Sequence, residues 1–335
     1  MCYTHHGFSE GANMTEPHIL VRGAGVAGMV TAVALAERGA QVNVYDAGGR
    51  IGAGASWFAG GMLAPWCEAE SAPDEVTQDS LSSLNWWKSH VPDVVQAGSL
   101  VVAPPRDTPE LTRFGRRTSH FETIGVERIR ALEPDLEDRF DRALFFAEEG
   151  HVDPRKALVA LGDKLAHHGG IIVSNAAIDT ASFDWIVDCT GVAARETQKD
   201  LRGMRGEMVL LRCPEITLHR PIRMLHPRIP VYIVPRDNSV FMVGATMVES
   251  DDTRAITVRA ITDLLNAAYT LHPAFAEAEL LEANAGLRPA YPDNVPRVRR
   301  EGNRISLNGM YRHGFLLSPA RAREVCEIIF GTDRA

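Results

Sequence analysis

The sequence predicts a mixed α/β protein in which a parallel, nucleotide-binding sheet is interrupted by an antiparallel one. Three observations predict it: a glycine triplet between an apolar strand and a helix near residue 23, a run of short alternating strands between residues 208 and 247, and a return to strand and helix after residue 304. Parallel sheets alternate with helices, whereas short alternating strands joined by turns form antiparallel ones.

The first element is Gly23-Ala24-Gly25-Val26-Ala27-Gly28, which follows Ile19-Leu20-Val21 and opens a helical stretch over 29–38. The first glycine permits a tight strand-to-helix turn, the second lets backbone approach a pyrophosphate, and the third lets helix and strand pack closely. The helix start then offers free N–H groups to the anion. After Gly39-Ala40, a second alternating strand over 41–45 ends at Asp46, eighteen residues past Gly28. A carboxylate there accepts hydrogen bonds from a ribose hydroxyl. Strand, glycines, helix and acid in register read as a Rossmann-type dinucleotide site. The fingerprint leaves NAD and FAD equally open.

Further along, residues 154–170 read as a helix started by Asp153-Pro154 and closed by Gly169-Gly170. The strands 171–173 and 185–188 that follow continue the nucleotide-binding sheet. Strands at 208–212, 231–234 and 240–243 then build the antiparallel sheet, and a strand at 304–308 with a helix at 318–330 returns to the first unit. The expected division is a discontinuous cofactor domain (18–90, 141–200 and 295–335) with an inserted substrate domain (91–140 and 201–294). Residues 1–17 are expected to be a disordered extension, and Met14 is an alternative start.

Composition narrows the function. With 35 Lys and Arg against 43 Asp and Glu, the net charge of −8 offers no general attraction to nucleic acid or anionic lipid. No apolar run approaches the roughly 20 residues that span a bilayer, and no signal-peptide core is present. A cytoplasmic location is expected. The five cysteines, Cys2, Cys67, Cys189, Cys213 and Cys326, include no C-x-x-C pair, and the twelve histidines are scattered, so no metal site is expected. Trp86-Trp87 is expected to pack a helix on the core, and Arg113, Arg116 and Arg117 to form a solvated helix face.

Two loops separate flavin from nicotinamide. After Asp46 comes Gly54-Ala55-Ser56-Trp57-Phe58-Ala59-Gly60-Gly61-Met62-Leu63-Ala64-Pro65. Small residues let backbone approach a flat ring, Ser56 can donate to a phosphate or ribitol oxygen, and exposed Trp57, Phe58 and Met62 would be costly. A loop wrapped on a large apolar cofactor explains both features. The second is Asn308-Gly309-Met310-Tyr311-Arg312-His313-Gly314-Phe315-Leu316-Leu317-Ser318-Pro319, a glycine turn before a helix whose positive end suits the flavin pyrimidine.

With these segments, and with Tyr232-Ile233-Val234-Pro235-Arg236, Val243-Gly244-Ala245-Thr246-Met247 and Ala285-Gly286-Leu287-Arg288-Pro289-Ala290, the chain resembles the D-amino-acid oxidase superfamily of FAD enzymes. Within it the chain is similar to the glycine oxidases of bacterial thiamine biosynthesis. The resemblance runs from about residue 18 to the C-terminus. It implies oxidation of glycine, and of small amines such as sarcosine, to an imine, with oxygen reduced to hydrogen peroxide and the imine available to a thiazole synthase.

It also implies contacts with FAD from Gly23, Gly25, Val26, Ala27, Gly28, Asp46, Ala47, Ala55, Ser56, Gly60, Gly61 and Met62, and from the turn Met310, Tyr311, Arg312, His313, Gly314, Phe315 and Leu316. The covalent flavin of some sarcosine oxidases needs a cysteine near this turn; Cys326 lies within the final helix, so noncovalent FAD is expected. Arg288 is the expected carboxylate receptor, since guanidinium offers a planar fork of donors. Tyr232 is expected to donate to the same carboxylate, Met247 to wall the pocket, and Arg312 to lie near the amine and flavin. A homo-oligomer is expected. The competing readings are sarcosine oxidase, D-amino-acid dehydrogenase, a nicotinamide-dependent dehydrogenase and a noncatalytic flavin-binding protein.

Overall fold

The structure is a computed structural model that describes residues 16–136, 139–174, 178–226 and 230–331. The N-terminal extension lies outside these residues except for its last two, and Met14 lies outside with it. In chain order the strands are β1 (His18–Arg22), β2 (Gln41–Asp46), β3 (Met62–Leu63), β4 (Ser99–Val102), β5 (Glu122–Gly125), β6 (Arg142–Phe146), β7 (Gly150–His151), β8 (Ile171–Ser174) and β9 (Trp185–Asp188). They continue as β10 (Arg202–Arg212), β11 (Ile222–Met224), β12 (Val231–Arg236), β13 (Val240–Gly244), β14 (Val248–Glu249), β15 (Glu279–Ala290), β16 (Arg297–Glu301) and β17 (Arg304–Asn308). The helices are α1 (Val26–Glu37), α2 (Pro65–Glu68), α3 (Asp74–Ser80), α4 (Ser83–His90), α5 (Pro109–Gly115), α6 (Val126–Leu132), α7 (Pro154–His167), α8 (Val258–Leu271) and α9 (Gly314–Phe330).

One sheet has the order β16-β17-β9-β1-β2-β8, parallel except for the edge strand β16. Helix α1 is apolar around nearly its whole circumference, including Met29, Val30, Ala32, Val33, Leu35 and Ala36, because it lies buried between the sheet and the helices α7 and α9. Asp153 starts α7, as expected, by accepting the Arg155 N–H at 2.8 Å.

The second sheet runs β14-β10-β13-β12-β11-β4-β6-β5, with β15 along the other side of β10. Its strand β10 begins six residues before the expected 208. Charged Arg205 and Glu207 obscure it in the sequence, yet they pair with each other at 2.9 Å in near-complete burial. Strand β6 belongs to this sheet, paired with β4 and β5. The chain therefore changes sheets after Phe146 rather than at residue 141; the unbroken apolar run Ala143 to Phe146 is what a strand buried on both faces requires.

Helix α9 starts at Gly314, four residues before expectation, and continues through Pro319. Proline has no N–H for the carbonyl four residues back, which is that of Phe315. The fully buried Trp87 supplies the missing donor, Nε1 to Phe315 O at 2.7 Å. So Trp87 does more than pack α4 on the core: it satisfies the helix that proline would otherwise break.

Candidate active site

The cofactor end is built from the starts of two helices. Gly23 has φ of +98°, and a Cβ there would lie 2.5 Å from Cys189 O. Gly28 is more restrictive still, since its Cβ would lie 1.8 Å from Gly23 O. Asp46, at the end of β2, accepts from the N–H groups of Ala24 and Gly48 at 2.7 Å each; it braces the glycine turn beside its expected ribose role. The exposed Ala47 follows it. Ser56 Oγ accepts the Val26 N–H at 3.0 Å. The N–H groups of Ala27 and Gly28 have no partner within α1, because a helix leaves its first donors open. Those are the donors a pyrophosphate takes.

Around this start lie the two loops. Gly314 opens α9 so close to α1 that a Cβ would stand 3.0 Å from Val26 Cγ1, bringing two positive helix ends together. Met310, His313, Phe315 and Leu316 are buried there, while Tyr311 takes φ of +48°. Residues 55–58 form a single 3-10 turn, and Gly61, at φ +73°, lets Met62 continue into β3. Trp57 is clamped between the guanidiniums of Arg50 and Arg155, 4.7 and 5.1 Å from its ring centre. Arg155 is in turn bidentate to Glu282 at 2.7 Å, and Arg236 donates to Gly60 O at 2.6 Å. A helix start with open donors, a hydroxyl beside it and a small-residue loop fixed against a sheet fit FAD.

That loop rests on one face of the antiparallel sheet. Residues directly opposite in paired strands share a face, so the registers Tyr232↔Gly244, Met208↔Gly244, Gly206↔Gly286 and Met204↔Arg288 put Tyr232, Met208, Gly206, Gly286 and Arg288 on one side. Phe58 and Ala55 cover Gly286, and the Tyr232 ring lies against Gly60, where a Cβ would meet Cε2 at 2.7 Å. Arg288 reaches back along β10: its guanidinium lies over Gly206 and Nη1 donates to Thr246 O at 3.2 Å. Next to Thr246 is Met247, 47% exposed, whose sulfur accepts from Tyr311 OH at 3.3 Å and lies 3.7 Å from Arg312 Nη1. Arg288, Met247 and the 310–316 turn are thus one connected group, and Tyr232 shares the sheet face.

Gly206 carries a sharp expectation. A Cβ there would fall 2.2 Å from the Arg288 guanidinium. The far end of a long side chain yields more readily than a strand does, so Gly206→Ala is expected to leave Tm nearly unchanged. It should lower kcat/KM for glycine about 10- to 100-fold, since an ångström of misplacement is worth up to about that factor. Paired melting and initial-rate measurements check it; a Tm loss that matches the loss of rate would refute the selective effect.

Several groups escaped the sequence reading. Glu68, at the end of α2, holds Arg312 through Nη2 to Oε1 and Nε to Oε2, both 2.8 Å, and lies 3.2 Å from His313 Nδ1 and 3.4 Å from Arg223 Nη1. Burial would raise its carboxyl, but Arg312, His313 and Arg223 outweigh that and hold it well below the usual range. On the reverse side of the sheet, Glu207 accepts from Thr246 Oγ1 at 2.9 Å and from Thr257 N–H, bracing the carbonyl that Arg288 uses. The partners of Glu68 are 155 and 244 residues away, which no local pattern reveals. For Arg205 and Glu207 the available signal was charge inside an otherwise apolar strand.

Below Glu68, buried Glu149 accepts the Cys67 N–H at 2.7 Å. Burial pushes its carboxyl up to about 7, against the hydrogen bond from the Cys67 N–H, while burial and then Arg236 pull His151 down to about 4. From about pH 4.5 to 7 the folded protein holds a proton on Glu149 that the unfolded chain has lost, so this group's contribution to stability falls as pH rises. His151 acts oppositely over a similar window. Glu149→Gln removes only the first effect. Its stability relative to the parent is expected to be about 3 kcal/mol more favourable at pH 8 than at pH 5; urea midpoints at the two pH values check it, and an equal difference at both would exclude the shift.

Arg113, Arg116 and Arg117 are exposed on or just after α5, with Arg113 near Glu110 at 3.3 Å and Arg117 near Glu70 at 3.1 Å. Cys67, Cys189, Cys213 and Cys326 are buried. Among the described residues no cluster of His, Cys, Asp and Glu is arranged to hold a metal ion, and no helix is long and apolar enough to cross a membrane.

A nucleotide-type sheet with a helix-start anion site, facing an antiparallel sheet that presents an arginine, defines a flavin-dependent oxidoreductase. The chain belongs to the DAO family, FAD dependent oxidoreductases, which it matches over residues 18–328. It is 53% identical to a Rhizobium etli protein that carries the provisional name thiamine biosynthesis oxidoreductase ThiO, over 92% of this chain and 94% of that one. A bifunctional protein ThiO/ThiG of Trichormus variabilis is 26% identical over 93% of this chain, which spans only 52% of that longer protein. Among solved structures, glycine oxidase from Geobacillus kaustophilus superposes with a TM-score of 0.79 at 22% identity, covering 95% of this chain and 96% of that one.

Proposed function

We propose that this protein is an FAD-dependent glycine oxidase that supplies the glycine imine for thiazole formation in thiamine biosynthesis. The observation that carries the reading is Arg288, whose guanidinium is placed over Gly206 and connected through Thr246 and Met247 to the Tyr311–Arg312 turn. A carboxylate receptor beside a flavin-binding turn selects a small amino acid. Its relatives' names, ThiO and glycine oxidase, agree with this choice.

In this reading Arg288 takes the substrate carboxylate, Tyr232 donates its hydroxyl to the same group, and Met247 limits the space for a side chain. The Arg312 carbonyl accepts from the amine. Bound noncovalently, FAD supplies a two-electron acceptor for the Cα–H bond, with oxygen as the terminal oxidant and hydrogen peroxide as product. No side chain has to act as a strong base once the amine is neutral, so the protein's contribution is orientation. The cofactor and substrate parts are the two sheets with their attached helices. A cytoplasmic homo-oligomer that hands its imine to a thiazole synthase completes the proposal; the fused ThiO/ThiG relatives supply a precedent for such a pair.

The test is anaerobic titration with glycine, sarcosine and D-alanine, followed by readmission of oxygen. Bleaching by glycine and stoichiometric peroxide are expected. Reduction by D-alanine alone, or reduction without peroxide, would replace the reading with a D-amino-acid dehydrogenase.

A further inference from the structure

We propose that Glu68 is a positioning residue for the reaction, acting through Arg312 to fix the Tyr311–Arg312–His313 turn. Four observations converge on it. Its carboxylate is only 13% exposed and lies along one edge of the Arg312 guanidinium, with Oε1 accepting from Nη2 at 2.8 Å and Oε2 paired with Nε at 2.8 Å, so the two groups fix each other's direction. His313 Nδ1, one residue further, stands 3.2 Å from the same carboxylate. The turn's other anchor is Tyr311 N–H to Pro289 O at 2.7 Å, directly beside Arg288. Arg312 keeps one nitrogen, Nη1, off Glu68, and that nitrogen faces Met247.

Glu68 therefore joins the end of the 54–65 loop to the 310–316 turn, and the same turn is tied through Tyr311 to Pro289, the residue after Arg288. The pair cannot be explained by stability alone. Desolvating a carboxylate and a guanidinium costs about what their attraction returns, and an apolar pair of similar size often serves folding as well. What the pair adds is a defined direction for the Arg312 backbone. Arg223 is a second guanidinium beside Glu68, and its charge is shared with Glu70 at 3.9 Å, which contacts Arg117 at 3.1 Å.

The kinetic part of this proposal rests on the glycine-oxidase reading; the structural part does not. Two measurements separate them. In hydrogen exchange of the purified protein, Glu68→Gln should speed exchange over residues 310–316 about tenfold or more and leave residues 23–38 unchanged. In glycine kinetics, Glu68→Gln should lower kcat/KM about tenfold or more with bound FAD retained and Tm lowered, because the buried guanidiniums lose their counter-charge, and Glu68→Asp should fall between it and the parent in rate. Because Glu68 acts through Arg312, the double variant Glu68→Gln/Arg312→Ala should be no slower than Arg312→Ala alone.

Losses that multiply in the double variant would overturn the proposal, as would unchanged exchange over 310–316. If Glu68→Gln does not fold, Glu68→Asp decides: it keeps the charge but shortens the reach, and exchange identical to the parent over the turn rejects the role. A parent enzyme inert toward glycine but with faster exchange in the variants would reject the substrate and keep the positioning.

Discussion

Arg288→Ala is expected to raise KM for glycine about 100- to 1000-fold while FAD stays bound. A hydrogen bond to a charged partner contributes about 1.5–3 kcal/mol, and two made by one fork come to about 3–4 kcal/mol, or two to three decades. The loss should fall on binding because the guanidinium touches the part of the substrate that does not react. Only a smaller change in kcat is expected, from looser aim of the Cα–H. Stability should hold, since Arg288 rests on a glycine and donates to a single protein carbonyl, that of Thr246. Steady-state kinetics with flavin absorbance recorded on the same samples checks it, and a KM unchanged within twofold would remove Arg288 from the site.

Gly28→Ala is expected to yield protein without flavin. The new methyl would sit 1.8 Å from Gly23 O, and unlike the Arg288 guanidinium this neighbour is backbone at the end of β1, which β2 and β9 hold on both sides. Either α1 backs away or the turn opens; each misplaces the N–H groups of the first helical turn. Overpacking costs about 1–3 kcal/mol and sometimes more, and the affinity for FAD is expected to fall by at least about 100-fold as the anion site is lost. Gly125→Ala is the control, because its Cβ would meet only Asp141 O, at 3.9 Å. A yellow Gly28→Ala protein with parental flavin content would contradict the role given to this contact.

The sequence made the cofactor half of the molecule legible because local rules govern it: a strand, three glycines, a helix and an acid lie within thirty residues, and Gly23 and Gly28 each answer a contact the backbone imposes. Strand β10 was half hidden, since Arg205 and Glu207 are legal inside a sheet only when they neutralise each other. Strand β15 went unmarked altogether, although it carries Arg288; its residues, Glu282 and Asn284 among them, alternate too weakly to announce a strand. Arg288 itself was found through a motif. Gly206 beneath it and Glu68 behind Arg312 could not be, because their importance lies in a partner's side chain that only the fold brings close. The final helix starts four residues before the expected 318, and the indole that lets it run through Pro319 lies 228 residues before the carbonyl it serves, that of Phe315.

The placement of β17 between β9 and β16, with α9 packed on α1, has a consequence for synthesis in the cell. The parallel sheet that begins at residue 18 waits for residues 304–308 to be completed, so nearly the whole chain leaves the ribosome before the flavin site exists. Contacts this distant in sequence form slowly, and the exposed edge of β9 is a surface for misassociation until they do. Nascent chains halted before residue 297 should retain no flavin, whereas chains extended far enough to release residue 330 should acquire it. Cofactor loading would thereby act as a check on completed translation.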